Sequence, residues 1–178
     1  ATAFGIYQFG FSAGVLVAVC ILTAVLSEMI YQKAMHKKVT SGDYSAVVTG
    51  LLLALNLSTN VTLWQCLVGS VFAIVVVKCA FGGLGYNFAN PAITARIALM
   101  VSFPAAMTAS AFVKPLTLDA VTSPTPLASI VANEETLLTV KDAFFGIQRG
   151  CIGETSAFLL MIGGIYLILR RVISPVIP

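Results

Sequence analysis

Residues 10–31 form a continuous apolar run whose one charge is Glu28, and the run stops abruptly at the basic stretch Gln32-Lys33-Ala34-Met35-His36-Lys37-Lys38. A helix needs about 20 mostly apolar residues to cross the hydrocarbon core of a bilayer, and this run meets that length. Residues 62–80, 91–113 and 152–173 meet it too, the second of these interrupted by Arg96 and Pro104. Residues 45–57, SAVVTGLLLALNL, are apolar but too short for a straight span. The pattern predicts an all-α integral membrane protein, a polytopic helical bundle with five membrane segments, one of them short. Composition agrees. Hydrophobic residues make up 58% of 178 and charged residues 10%, against roughly 25% charged in soluble domains; mean hydropathy is +0.98. A soluble domain of this size has too much surface to hide that much apolar area, so the partner along most of the chain is the lipid bilayer. Net charge is +3 with no basic stripe interleaved with aromatics, so no nucleic-acid partner is expected.

Start signals support these segments. Asn90-Pro91 is an N-cap with proline at the first helical position, where a missing N–H costs nothing. Ser41 or Asp43 can cap the short segment, and Thr155 or Ser156 the last one. The excess of Lys and Arg on cytoplasmic loops sets orientation. With Lys33, Lys37 and Lys38 inside, alternation puts Lys78, Arg96, Arg170 and Arg171 at cytoplasmic ends and leaves Lys114, Lys141 and Arg149 outside. The loop 114–151 is then extracytoplasmic.

Ionisable groups within membrane segments are costly and flag function. Glu28 lies one turn before the basic stretch and is expected to reach the interface; a Glu28–Arg96 pair is the alternative. Glu154 opens the last segment, where a helix N-terminus stabilises an anion, or serves as an ion-coordinating carboxylate. The short segment 45–57, with Gly50 and Asn56, fits the interrupted spans that mark transport sites. Gly82, Gly83 and Gly85 read as a tight inter-helix turn that needs positive φ; as a nucleotide loop the stretch lacks its strand and lysine. The four cysteines form no C-x-x-C pair and there is a single histidine, His36, which argues against a self-contained zinc or iron–sulfur site. Cys20 and Cys66 read as small buried hydrophobes; Cys79 and Cys151, near segment ends, leave open a cluster shared with another subunit.

One polar stretch stands out, DAVTSPTPLAS at 119–129. Pro124 and Pro126 bracket Thr125, and a residue before proline is held extended. The loop presents the Thr122, Ser123 and Thr125 hydroxyls as either a capped turn or a modification site.

Six blocks together resemble a known family: YQFGF (7–11), the short segment 45–57, GGLGYNFANPAITAR (82–96), SFPAAMT (102–108), DAVTSPTPL (119–127) and GCIGETSAFLLMIGGIYLI (150–168). The chain resembles the RnfD subunits of Rnf electron-transport complexes, whose family includes the B-type subunit of the Na+-translocating NADH:quinone reductase. The resemblance implies FMN attached through a phosphoester to Thr125, within Thr122-Ser123-Pro124-Thr125, with Asp119, Thr122 and Ser123 around the attachment site. It leaves room for a second, non-covalent flavin such as riboflavin. It implies a non-catalytic subunit of a redox-driven ion translocase of the ferredoxin:NAD oxidoreductase type. The subunit would work with other Rnf subunits, including a second covalent-flavin subunit and membrane iron–sulfur subunits, in a bacterial or archaeal inner membrane. Na+ or H+ would pass through the membrane segments, with Glu28, Asp43 and Glu154 as candidates for the ion path. It also implies that residues 1–178 are one transmembrane domain, incomplete at both ends, within a larger inverted-repeat fold. A cofactor-free channel or secondary transporter, suggested by the short segment and a single Asn-Pro-Ala, stays open, as does a structural membrane anchor.

Overall fold

The computed structural model describes residues 2–36, 41–83, 85–107, 140–145, 150–153 and 156–173. Every regular element among them is helical: α1 (Thr2–Phe9), α2 (Phe11–Ala34), a 3₁₀ turn (Ser41–Asp43), α3 (Ser45–Leu55), α4 (Leu63–Val71) running on into a π-helix (Phe72–Cys79), α5 (Pro91–Ser102), α6 (Pro104–Met107), α7 (Val140–Phe145) and α8 (Ala157–Leu169). Among the described residues α2 alone is long and apolar enough to cross a membrane.

α2 is the central element. Its buried residues Ala13, Leu16, Val17, Cys20, Ala24, Ser27, Glu28 and Gln32 recur mostly at three- and four-residue steps, so one stripe of the helix faces the protein. The stripe is apolar for its first half and polar at its last turns. α3 lies directly on it. A Cβ at Gly50 would stand 2.8 Å from the Cys20 carbonyl oxygen and 2.9 Å from Ile21 Cα, so only glycine permits this approach, the usual role of small residues between membrane helices. Leu53, Ala54 and Leu57 from α3 and its end join Cys66 and Ala73 from the α4 region and Ala92, Ala95 and Leu99 from α5 in the main core.

The start of α5 follows the capping signal: Asn90 Oδ1 accepts from Ala92 N at 3.0 Å, and Pro91 takes the first helical position. Its end departs from the expected 91–113 span. The helix stops at Ser102, because proline disfavours helical backbone at the residue before it, and Phe103 accordingly leaves the helix before Pro104. The last segment also begins later than residue 152. Ile152 N and Gly153 N donate instead to Leu57 O (3.1 Å) and Leu55 O (2.9 Å), which satisfies carbonyls that the end of α3 leaves without helical partners. α8 starts at Ala157, and Ser156 Oγ accepts from Leu159 N at 3.4 Å. Gly82, Gly83 and Gly85 all hold positive φ (114°, 97°, 88°), the tight-turn role their spacing suggests.

The outward faces are apolar. Leu22, Leu26, Ile30, Leu67, Val76 and Ile97 are all exposed, and α8 buries no residue against the rest of the described chain.

Candidate functional site

The polar end of the α2 stripe meets the π-helix. A π-turn inserts an extra residue, widens the helix and recurs at functional sites; here it shows in Ala80 N donating to Val75 O, five residues back. Lys78 lies in this wide turn and points inward. Its Nζ is 2.8 Å from Glu28 Oε1, and the two side chains are 1% and 3% exposed. Gln32 Nε2, one helical turn along α2, donates to the same Oε1 at 3.3 Å. Lys78 Nζ also donates to Ser45 Oγ at 2.5 Å. Ser45 Oγ and Ser45 N both donate to Asp43 Oδ1, at 2.6 and 2.9 Å. The contacts form one chain, Gln32–Glu28–Lys78–Ser45–Asp43, from a buried carboxylate to an exposed one. The hydroxyl of Ser45 beside Asp43 holds that carboxyl below its ordinary value, helped by the Ser45 amide and the Lys78 charge. Glu28 Oε2 is buried and has no hydrogen-bond partner among the described residues.

This arrangement corrects the expectation for Glu28. The side chain is buried within the protein, and its partner is Lys78 rather than Arg96. Arg96 instead donates from Nη1 to Asn56 Oδ1 at 3.0 Å, and its Nη2 lies 3.5 Å from Cys151 Sγ. It thereby ties α5 to the end of α3 and to the 150–153 segment. Neither Ser41 nor Asp43 is the N-cap of α3: that position is Tyr44, in the left-handed region (φ 57°) and without a side-chain capping bond, while Asp43, just before it, accepts from Ser45 N at 2.9 Å.

Sequence reasoning placed Lys78 at a segment end and did not join it to Glu28. The signal was present: a lysine inside Val75-Val76-Val77-Lys78-Cys79-Ala80 is as costly in lipid as a glutamate, and two such residues of opposite sign invite pairing. Ser45 and Gln32 carried no comparable signal. Cys20, Cys66, Cys79 and Cys151 are all buried. Among the described residues no three His, Cys, Asp or Glu side chains gather where a metal ion would sit. Asp119, Thr122, Ser123, Thr125 and Glu154 lie outside the described residues.

The chain is matched over residues 1–178 by the model of the NQR2, RnfD, RnfE family. It is 50% identical over 175 residues to the D-type subunit of the Na(+)-translocating ferredoxin:NAD(+) oxidoreductase complex of Acetobacterium woodii, covering 97% of this chain and 54% of the relative. It is 38% identical over 187 residues to the D-type subunit of the proton-translocating ferredoxin:NAD(+) oxidoreductase complex of Clostridium ljungdahlii, covering 100% and 56%. It is 32% identical over 161 residues to the B-type subunit of the Na(+)-translocating NADH-quinone reductase of Pseudoalteromonas atlantica, covering 88% and 39%. The chain spans about half the length of the two ferredoxin:NAD(+) oxidoreductase relatives it matches. A match along the whole chain, together with an all-helical fold around a membrane-length helix, places this chain in the NQR2, RnfD, RnfE family.

Proposed function

We propose that the chain is the membrane-embedded part of an RnfD subunit of an ion-translocating ferredoxin:NAD oxidoreductase complex, carrying FMN on Thr125 and contributing to passage of Na+ or H+. The observation that carries the ion-translocating part is the buried Glu28–Lys78 ion pair, 2.8 Å apart. Ionisable groups buried within membrane segments usually serve ion or proton movement. Glu28 and Asp43 stand at the two ends of one polar chain, and Glu154 is the third candidate for the path.

The chain crosses the membrane five times in this reading. α3 is the short segment, and the loop 114–151 lies outside the cell membrane. The family resemblance supports FMN held on Thr125 through its phosphate, with Asp119, Thr122 and Ser123 as further candidates for the attachment site. Bound flavin supplies the electron-transfer chemistry. The residues of this chain supply the attachment hydroxyl, a proline-stiffened loop to display it, and the polar chain inside the bundle. Other subunits of the complex, a second covalent-flavin subunit and iron–sulfur subunits among them, supply the remaining redox centres. A second flavin such as riboflavin is compatible with this assignment.

A cofactor-free channel or secondary transporter is the second reading. It is favoured by α3, an apolar helix of 11 residues that ends at Leu55, since unusually short hydrophobic segments mark binding sites in transporters. A denaturing gel of the full-length subunit under ultraviolet light separates the two. A fluorescent wild-type band that goes dark in Thr125→Val supports covalent flavin. A dark wild-type band, from cells containing the flavin transferase, turns the assignment to the transporter.

A further inference from the structure

The Lys78 ammonium touches two acidic arms at once. On one side is Glu28 Oε1, buried, at 2.8 Å; on the other is Ser45 Oγ, which leads at 2.6 Å to the exposed Asp43 carboxylate. Glu28 keeps a second oxygen, Oε2, that is buried and unpartnered among the described residues. A buried carboxylate oxygen without a donor is costly, and native proteins normally satisfy such atoms. Lysine is suited to moving between such arms, because its ammonium is a compact point charge on a flexible four-carbon stem.

We infer that Lys78 is an exchangeable counter-ion for Glu28, whose release toward Ser45 and Asp43 opens the Glu28 carboxylate to one transported monovalent cation. The charges balance at each stage. With Lys78 on Glu28 the buried pair is neutral. When Lys78 turns to Asp43, Glu28 is left as an isolated buried anion, a state that low dielectric forbids. One sodium ion or one proton at Glu28 restores neutrality there, while Lys78 neutralises Asp43 at the surface. Return of Lys78 expels the cation. Among the described residues the charged groups that meet in this exchange are Glu28 on α2, Lys78 on the π-helix and Asp43 in the 3₁₀ turn, with Gln32 as the neutral donor to Oε1.

The inference rests on the ion-translocating reading above and assigns Lys78 as its positioning residue. The test uses the full-length subunit in its assembled complex, reconstituted into liposomes. Binding of radiolabelled sodium is measured at fixed pH, and proton uptake is measured across a pH series without sodium. Covalent flavin fluorescence on a gel is followed in parallel. An adjacent opposite charge shifts the cation affinity of a carboxylate by about one to three powers of ten. In Lys78→Met the concentration of the active cation at half-saturation therefore falls about tenfold or more, and ion transfer per electron is lost because nothing expels the cation. In Lys78→Arg, whose rigid fork holds a carboxylate more firmly, half-saturation rises. The Glu28→Gln, Lys78→Met double variant assembles and loses the cation dependence. Wild-type cation affinity in Lys78→Met overturns the inference. Where Lys78→Met fails to assemble, wild-type affinity in Lys78→Arg overturns it, as does wild-type cation dependence in the double variant. A flavin band that stays fluorescent in all variants shows that such a failure belongs to the exchange and leaves the flavin assignment standing; a dark wild-type band is the separate failure of that assignment.

Discussion

The approach of α3 to α2 at Gly50 yields a quantitative test of the fold. In Gly50→Ala the new Cβ would stand 2.8 Å from Cys20 O, 2.9 Å from Ile21 Cα and 3.0 Å from Ala24 Cβ, where ordinary contact begins at 3.4 Å. Two of the three atoms belong to the α2 backbone and cannot rotate away, so α3 must withdraw by about half an ångström. Overpacking of this kind costs about 1–3 kcal/mol, partly offset by the higher helix propensity of alanine, about 1 kcal/mol. The net loss is about 0–2 kcal/mol, and about 1–3 kcal/mol relative to a helical Gly→Ala change that meets no clash. Gly163→Ala in α8 is the control, since no described atom lies within 4 Å of that Cβ; it should be neutral or slightly stabilising. Thermal unfolding of the full-length protein in detergent reads both. The withdrawal also pulls Ser45, five residues before Gly50 at the head of α3, away from Lys78, so cation dependence should shift in Gly50→Ala and stay unchanged in Gly163→Ala. If Gly50→Ala proves as stable as Gly163→Ala, the close α2–α3 contact is wrong, and with it the placement of Ser45 beside Lys78.

Three further outcomes follow from single contacts. Asn90→Ala removes the side chain that accepts from Ala92 N, and should cost about 1 kcal/mol of stability, read by the same unfolding measurement. Arg96→Met removes the guanidinium beside Asn56 and Cys151 and should free the 150–153 segment, so that Cys151 reacts with a membrane-permeant maleimide far faster than in wild type; an unchanged labelling rate sinks that account. Asp43 has its carboxyl held below the ordinary 3.8 by the Ser45 hydroxyl and amide and by Lys78. A depressed carboxyl stabilises the fold above its ordinary value and loses that stabilisation as pH falls through the lower, folded value. The stability gap between wild type and Asp43→Asn should therefore be present at pH 5 and close below about pH 4, remaining small throughout because the carboxylate is mostly solvated.

Local chemistry was the most legible part of the fold. The Asn90-Pro91 start of α5, the Ser156 cap of α8 and the positive-φ glycines at 82, 83 and 85 each follow from one or two neighbouring residues. Span ends were less legible. Hydropathy continues through Phe103 and Pro104, but the backbone restriction at Phe103 ends the helix there. Ile152 is as apolar as any residue in a span, yet its amide serves the end of α3. Contacts between segments were least legible. Glu28 and Lys78 are fifty positions apart, and which cation meets Glu28 depends on the π-turn that aims Lys78 inward. Hydrophobic periodicity carries no sign of that extra residue per turn. Arg96 sits at the same expected depth as Lys78, and depth alone could not choose between them.

The Glu28–Lys78 pair is hard to explain as a stabilising device. A buried ion pair is often no better for stability than well-packed apolar side chains of similar volume, because the cost of desolvating two charges consumes their attraction. That holds with more force here, since one carboxylate oxygen is buried with no hydrogen-bond partner among the described residues. The surroundings would suit an apolar pair: Ala24, Ala46, Ile74 and Cys79 form a tight satellite cluster beside the polar chain. Nor is the pair required to join α2 to its neighbours, since Gly50 and the main core already bring α3 and α5 together around it. What an apolar pair cannot do is hold and release a charge. A bundle that pairs a buried glutamate with a lysine, and gives that lysine a second carboxylate to turn to, has the parts for charge exchange.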